Sequence, residues 1–225
     1  MKTITWLSPH DAPEWFPPLE QALEEPAGLL AAGGDLSPER LIAAYRRGIF
    51  PWFSPGQPVL WWSPDPREVL IPKDFHCSRS LARALRNRGF EYHVDRDFDA
   101  VVAACAAPRT ASPGTWITAD MRSAYGALHR RGLARSCEIW RAGRLVGGVY
   151  GVRLGRVFFG ESMFSRERDA SKAALAGLVR QSLADGTEFI DCQFATAHLR
   201  SLGSRALPRR EFLERLNRAL EPSGP

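Results

Sequence analysis

An α/β protein is what the sequence predicts, with a small N-terminal α/β domain over residues 1–65 and a larger one over 66–225 built on a mainly antiparallel, mixed sheet. Three observations lead there. The β-rich runs Cys137–Trp140, Leu145–Val152 and Arg156–Phe159 are joined by short links, Arg141-Ala142-Gly143-Arg144 and Arg153-Leu154-Gly155, that suit hairpins. A helical repeat, Leu175, Leu178, Val179 and Ser182-Leu183, then runs from an N-cap at Asp169 to Gly186 and into a strand, Thr187–Phe194. The first 65 residues differ in kind: they are Pro-rich, and four of the seven tryptophans lie in residues 15–62.

In chain order, Leu19–Glu25 reads as a short helix stopped by Pro26. Gly33-Gly34 suggests a tight turn or a close backbone approach, and no Lys-Ser/Thr follows to make a phosphate loop. Ser37 caps a helix with Pro38 at its first position, Leu41, Ile42 and Tyr45 as its buried stripe and Gly48 as its stop. Ser78 caps the next, with Leu81, Ala82 and Leu85 facing inward and Gly89 ending it; Phe90–Val94 is a strand. Phe98, Val101, Val102 and Cys105 mark a helix that stops before Pro108. Thr118 caps another that carries Met121, Tyr125 and Leu128 and stops at Gly132. Arg209–Leu220 closes with one more helix.

Composition narrows the function. No apolar run reaches the length of a membrane span, and Met1–Trp6 lacks the apolar stretch of a signal peptide, so a cytoplasmic protein is expected. Cys77, Cys105, Cys137 and Cys192 have no metal-site spacing and the five histidines are dispersed, so no metal is expected. Charge is uneven. Residues 1–65 are net −4 and residues 66–225 net +9, with eight arginines against Glu138 alone in Arg122–Arg156. A second basic block comprises Arg79, Arg83, Arg86 and Arg88. A polyanion partner explains these blocks, and so does a solvated basic face in a chain with 27 Arg and 3 Lys.

Candidate chemistry gathers at the end of the helix–strand unit. On a regular strand Phe189, Asp191 and Gln193 share one face, with the Asp191 and Gln193 Cα atoms roughly 6–7 Å apart. The run Val157–Phe164 holds one acid, Glu161. Asp191 either does chemistry or satisfies a neighbouring arginine or backbone group, and Glu161 either lines a site or forms a buried ion pair.

Seven pieces then fall into register along nearly the whole chain: Gly28–Leu36, Tyr45–Phe53, Trp61–Arg67, Gly114–Ile117, Phe159–Ser165, Asp191–Gln193 and Ser201–Arg210. Together they resemble the leucyl/phenylalanyl-tRNA–protein transferase family. The resemblance implies an N-acetyltransferase-like larger domain. It implies transfer of leucine or phenylalanine from Leu-tRNA or Phe-tRNA to the α-amino group of proteins beginning with Arg or Lys, which marks them for degradation. It makes Asp191 and Gln193 the catalytic residues and Glu161 a residue of the aminoacyl site. Trp52 and Trp116 match tryptophans near the 3′-terminal adenosine, and Phe158, Leu175, Leu178 and Ile190 become walls of an apolar side-chain pocket. For tRNA phosphates the candidates are Arg79, Arg83, Arg130, Arg131, Arg135 and Arg144. The enzyme is expected to act as a monomer, with no CoA, metal or membrane.

The reaction fits these residue types. The aminoacyl ester is already activated, so alignment and a neutral amine are the main needs. A carboxylate with an ordinary value of about 3.9 is a weak base for an amine, so Asp191 is expected to act by orienting and polarising Gln193. The rivals are a CoA-dependent acetyltransferase, a non-catalytic RNA-binding module, and a relative that adds amino acids from tRNA to cell-wall peptides. The CoA reading needs a glycine-bearing loop where Ser165–Lys172 has none.

Overall fold

The structure, a computed structural model, describes residues 3–108 and 115–221. Gly114 of the Gly114–Ile117 motif, and Met1 and Lys2, lie outside them. Two sheets carry the chain. The smaller uses β1 (Thr5–Leu7), β2 (Leu29–Gly33), then, after helix α1 (Pro38–Arg46), β3 (Phe50–Pro51) and β4 (Leu60–Trp62), in the order β1-β2-β4-β3. Leu29–Gly33 is a strand, and Gly33 and Gly34 both take positive φ where it ends. The close approach is real and sits at its end: a Cβ on Gly33, φ +84°, would lie 2.6 Å from the Leu7 carbonyl oxygen.

The larger part adds β5 (Arg67–Leu70), α2 (Arg79–Asn87), β6 (Glu91–Val94), α3 (Phe98–Ala106) and α4 (Ala119–Arg130). The meander follows as β7 (Ala134–Arg141), β8 (Arg144–Leu154) and β9 (Val157–Ser165), then α5 (Ala170–Ala184), β10 (Phe189–Gln193), α6 (Ala197–Ser201), β11 (Arg205–Leu207) and α7 (Arg209–Leu220). Its sheet has the order β11-β5-β10-β9-β8-β7-β6. β10 runs parallel to β9 and the other neighbours are antiparallel, the mixed sheet expected.

Caps and stops hold where they are local. The hydroxyls of Ser37, Ser78 and Thr118 accept from the N–H three residues on, and Gly48, Gly89, Gly132 and Gly186 take positive φ just past their helices. Other expectations need correction. Leu19–Gln21 is a single 3₁₀ turn. Leu85 and Leu183 are exposed, while Ala84, and on α1 Arg40 and Ala44, take the buried positions. Asp169 stands at the N-cap of α5 in the left-handed region, φ 68°, with no side-chain cap, and pairs with Arg88 at 3.4 Å instead.

One apolar cluster runs from the small sheet into the large one, joining Phe16, Tyr45, Phe50 and Trp61 to Tyr125, Tyr150, Phe159, Phe189 and Phe212. On the other face α5 covers Leu70, Val149, Phe158 and Ile190 with Leu175, Leu178 and Val179. At roughly 1.5–3 kcal/mol for each large apolar side chain fully buried, these two faces fix α5 and β10 firmly around the opening described next.

Candidate active site

Two irregularities on neighbouring strands open the large sheet. β8 pairs with β9 through Tyr150 with Ser162 and Gly151 with Gly160, so Glu161 is the extra residue of a bulge. β10 pairs with β5 through Asp191 with Val69 and Gln193 with Glu68, so Cys192 is extra there. The parallel pairing of β9 with β10 ends at Phe159 and Asp191, and beyond it the strands part. A cavity of about 530 Å³ fills the gap, lined by Glu161, Asp191 and Gln193 and walled by Leu175, Leu178 and Ile190.

Gln193 does not continue the alternation expected of a regular strand. Its φ is 63°, a left-handed conformation that costs a non-glycine residue about 1–2 kcal/mol. Asp191 holds it there: its Oδ1 accepts the Gln193 N–H at 2.9 Å. Asp191 therefore fixes Gln193 through the backbone rather than through the side-chain amide. The rest of the Asp191 carboxylate faces Arg67, whose Nε and Nη2 donate to Oδ1 and Oδ2 at 2.8 and 2.6 Å. Both side chains are fully buried. Arg67 also donates from Nη1 to the Gly48 carbonyl at 3.0 Å and lies between the rings of Phe50 and Phe212. Nothing in local spacing marks this pair. All four residues of Arg67–Leu70 are buried in the sheet, and a buried guanidinium must find an anion.

Among the described residues no arginine lies within ion-pair distance of Glu161. Tyr45 and Tyr125 contact its two carboxyl oxygens at 2.7 and 2.5 Å, and Gln193 Nε2 donates to Oε1 at 3.3 Å. The two tyrosine hydroxyls also lie 2.7 Å from each other. Three short oxygen–oxygen contacts need three protons, and two tyrosines supply only two. The third belongs on Glu161. Its electrostatics agree: burial, aided by the nearby Asp191 charge, pushes its pKa up to about 7, against the pull of the tyrosine hydrogen bonds and Arg67. Burial likewise raises both tyrosines well above their ordinary value, so they remain protonated. Helical spacing by itself places Tyr45 and Tyr125 in the core.

A second, aromatic trough adjoins the cavity. Trp52, Phe53 and Trp62 line it, and Thr115 and Trp116 line both spaces. Trp52 is 42% exposed and packs edge-on against Trp62, with ring centroids 5.5 Å apart.

The family model described as leucyl/phenylalanyl-tRNA protein transferase matches residues 69–217, and that for the N-terminal domain of the same transferase matches residues 34–65. A Pseudomonas paraeruginosa (strain DSM 24068 / PA7) protein named leucyl/phenylalanyl-tRNA--protein transferase is 58% identical over 223 residues, covering 98% of each chain. One of the same name from Pseudomonas entomophila (strain L48) is 57% identical over 98% of this chain and 97% of its own. The chain belongs to the leucyl/phenylalanyl-tRNA protein transferase family.

It is thus a transferase. Among solved structures, a GCN5-related N-acetyltransferase from Kribbella flavida is similar at 15% identity and a TM-score of 0.39, over 75% of this chain and 59% of its own.

Of the residues singled out in this transferase-family chain, the structure brings Asp191, Gln193, Glu161, Trp116, Leu175, Leu178 and Ile190 to one cavity and puts Trp52 in the adjoining trough. Phe158 is elsewhere: it is buried on β9 and lines a different cavity, of about 310 Å³, beneath the C-terminal half of α5. Phe158 precedes the bulge and faces α5 with Ile190, its register partner on β10, so it lies further back along β9 than the Gly160–Met163 segment that lines the opening.

The arginines divide. Arg131 pairs with Glu39 at 2.7 Å, Arg135 with Asp95, and Arg144 with Glu167 at 3.7 Å. Arg141, Arg153 and Arg156 of the same basic block pair with Glu167, Asp185 and Glu188. The fold supplies from other segments the acids that the block lacks in sequence. Arg79, Arg83 and Arg130 are exposed, and among the described residues no acid lies within ion-pair distance of them.

Proposed function

We propose that this site joins leucine or phenylalanine, brought as Leu-tRNA or Phe-tRNA, to the α-amino group of proteins that begin with Arg or Lys. The observation that carries the reading is the placement of Gln193. Its amide lines the cavity beside Glu161, on a backbone that Asp191 holds in a strained conformation, and the next residue, Phe194, packs its ring against Trp52 of the aromatic trough.

The apolar walls at Leu175, Leu178 and Ile190 take the amino-acid side chain, and Trp52 with Trp116 stacks the terminal adenosine of the tRNA. Stacking of this kind is worth about 1–3 kcal/mol per base. Between these two sites the ester carbonyl lies beside Gln193. The acceptor amine, about a tenth neutral at pH 7, donates to the Gln193 amide oxygen and presents its lone pair to that carbon. The C–N bond forms as the C–O bond to the ribose breaks, and the proton lost by nitrogen ends on the ribose oxygen. Glu161 with Tyr45 and Tyr125 is the proton-carrying array nearest that exchange. Asp191 works as a positioning residue, and its charge, balanced by Arg67, favours the positive character that develops on nitrogen.

No group beyond the two substrates is needed, because the ester supplies the activation. CoA is disfavoured at the start of α5. There Ser165–Lys172 has no glycine to let backbone N–H groups close on a pyrophosphate, and Arg141, Arg144, Arg88 and Arg168 are engaged by Glu167 and Asp169. Among the described residues no three His, Cys, Asp or Glu side chains cluster as a metal site requires, and no helix is long and apolar enough to cross a membrane. We place the protein in the cytoplasm as a monomer, with Arg79, Arg83 and Arg130 as its first contacts to tRNA phosphates.

The test is transfer of labelled leucine from charged tRNA to a peptide beginning with Arg, beside one beginning with Gly. Label on the Arg peptide alone, abolished by Asp191→Asn or by ribonuclease, is the expected result. Tight tRNA binding without transfer would instead make the chain an RNA-binding module.

A further inference from the structure

The cavity of about 530 Å³ at Gln193 and the cavity of about 310 Å³ beneath α5 are separate spaces with one lining residue in common, Leu178. Leu178 is buried in the cluster that includes Phe158, Leu175 and Ile190. Beyond it the second cavity continues between Val94, Cys137 and Phe158 from the sheet and Gln181 and Ser182 of α5 with its C-cap, Asp185. Its rim carries two charge pairs, Arg153 with Asp185 at 2.6 Å and Arg135 with Asp95. Protein interiors are usually packed to near-crystalline density, so a second preformed space one residue behind a binding pocket is a reserve of volume.

We propose that Leu178 sets the upper size limit of the transferred side chain, by closing the aminoacyl pocket off from this second cavity. The inference rests on the transferase reading, in which the amino-acid side chain lies against Leu175, Leu178 and Ile190. Shortening Leu178 would join the two spaces. A long rigid side chain could then pass between Leu175 and Ile190 and end beside Phe158 and Cys137. Its apolar tip suits those two residues, and Ser182 and Thr187 border the far end.

The experiment compares leucine with biphenylalanine, an aromatic side chain one ring longer than phenylalanine, each delivered on charged tRNA to a peptide beginning with Arg. Wild type should transfer leucine and reject biphenylalanine. In Leu178→Ala leucine transfer should fall, because a wall is lost, while the biphenylalanine-to-leucine ratio rises by about tenfold or more, the scale that pocket size controls. Leu178→Val should move the ratio the same way by less, and it serves if the alanine variant does not fold. Adding Ser182→Met, one turn further along α5, refills the second cavity and should return the ratio toward wild type. A simple loss of stability would lower both substrates together and leave the ratio alone. An unchanged ratio in both Leu178 variants overturns the proposal, as does a gain that survives Ser182→Met. Failure of wild type to transfer leucine would instead strike the transferase reading itself.

Discussion

The hydroxyls of Tyr45 and Tyr125 lie 2.7 Å apart although each also touches the Glu161 carboxyl. That triangle closes only with a proton on Glu161, and a consequence for stability follows. A carboxyl whose folded pKa of about 7 lies above its ordinary 4.5 contributes fully below about pH 4.5, and that contribution is lost as pH rises through 7. The span corresponds to about 3 kcal/mol. Glu161→Gln stays neutral throughout, so its unfolding free energy relative to wild type should climb by that order between pH 4.5 and 8 in urea titrations. A difference that stays flat would show Glu161 to be ionised. Tyr125→Phe removes a hydrogen bond that favours the ionised form and should move the window to higher pH.

Arg67 and Asp191 should behave as one unit. Breaking a buried pair from one side costs about 3–5 kcal/mol, so Arg67→Met and Asp191→Asn should each destabilise by that order. The double variant Arg67→Met with Asp191→Leu should recover most of the loss in chemical denaturation. It should remain inactive in transfer, because nothing then holds the Gln193 N–H. A stable and fully active double variant would remove Asp191 from the site.

Trp52→Ala should raise the KM for aminoacyl-tRNA by roughly 5- to 150-fold, the equivalent of about 1–3 kcal/mol of stacking, with a smaller effect on kcat. Trp52→Phe should keep most of the affinity. The ring can be exchanged cleanly, since the hydrogen bond from Trp62 Nε1 ends on the Trp52 backbone carbonyl. Equal affinity for all three proteins would mean that the trough does not stack a base.

The arginine split predicts unequal salt responses. Arg79→Ala and Arg83→Ala should each lower the slope of log affinity against log salt by about 0.7–0.9, the value of one phosphate contact. Arg131→Ala, Arg135→Ala and Arg144→Ala should lower it by less than half as much, because each cation already faces Glu39, Asp95 or Glu167. Equal slopes across the five variants, measured by filter binding, would reject the division.

What could be read from the sequence was whatever is local. The helix begun by Thr118 and carrying Met121, Tyr125 and Leu128 needs only its own spacing and cap, and it stands as expected. The strand Leu29–Gly33 was hidden because two glycines at its end look the same in sequence whether they finish a strand or make a turn. Strand alternation and a lone acid in an apolar run single out Gln193 and Glu161, and resemblance gives them roles, but their partners are not legible, because Tyr45 is 116 residues from Glu161 and Arg67 is 124 from Asp191. Bulges are invisible to a period-two pattern, and here they decide where Glu161 and Gln193 point.

Arg67 is held by the Gly48 carbonyl on one side and by Asp191 on the other, and this bears on how the protein is made. On the ribosome Tyr45, Gly48 and Arg67 are synthesised early, and Asp191 arrives only when most of the 225 residues exist. Until then the guanidinium lacks its partner Asp191, and Gln193 itself has yet to be made. A nascent or truncated chain therefore cannot hold a half-built centre that turns over charged tRNA. Competence comes in a single late step, when β10 enters the sheet beside β9.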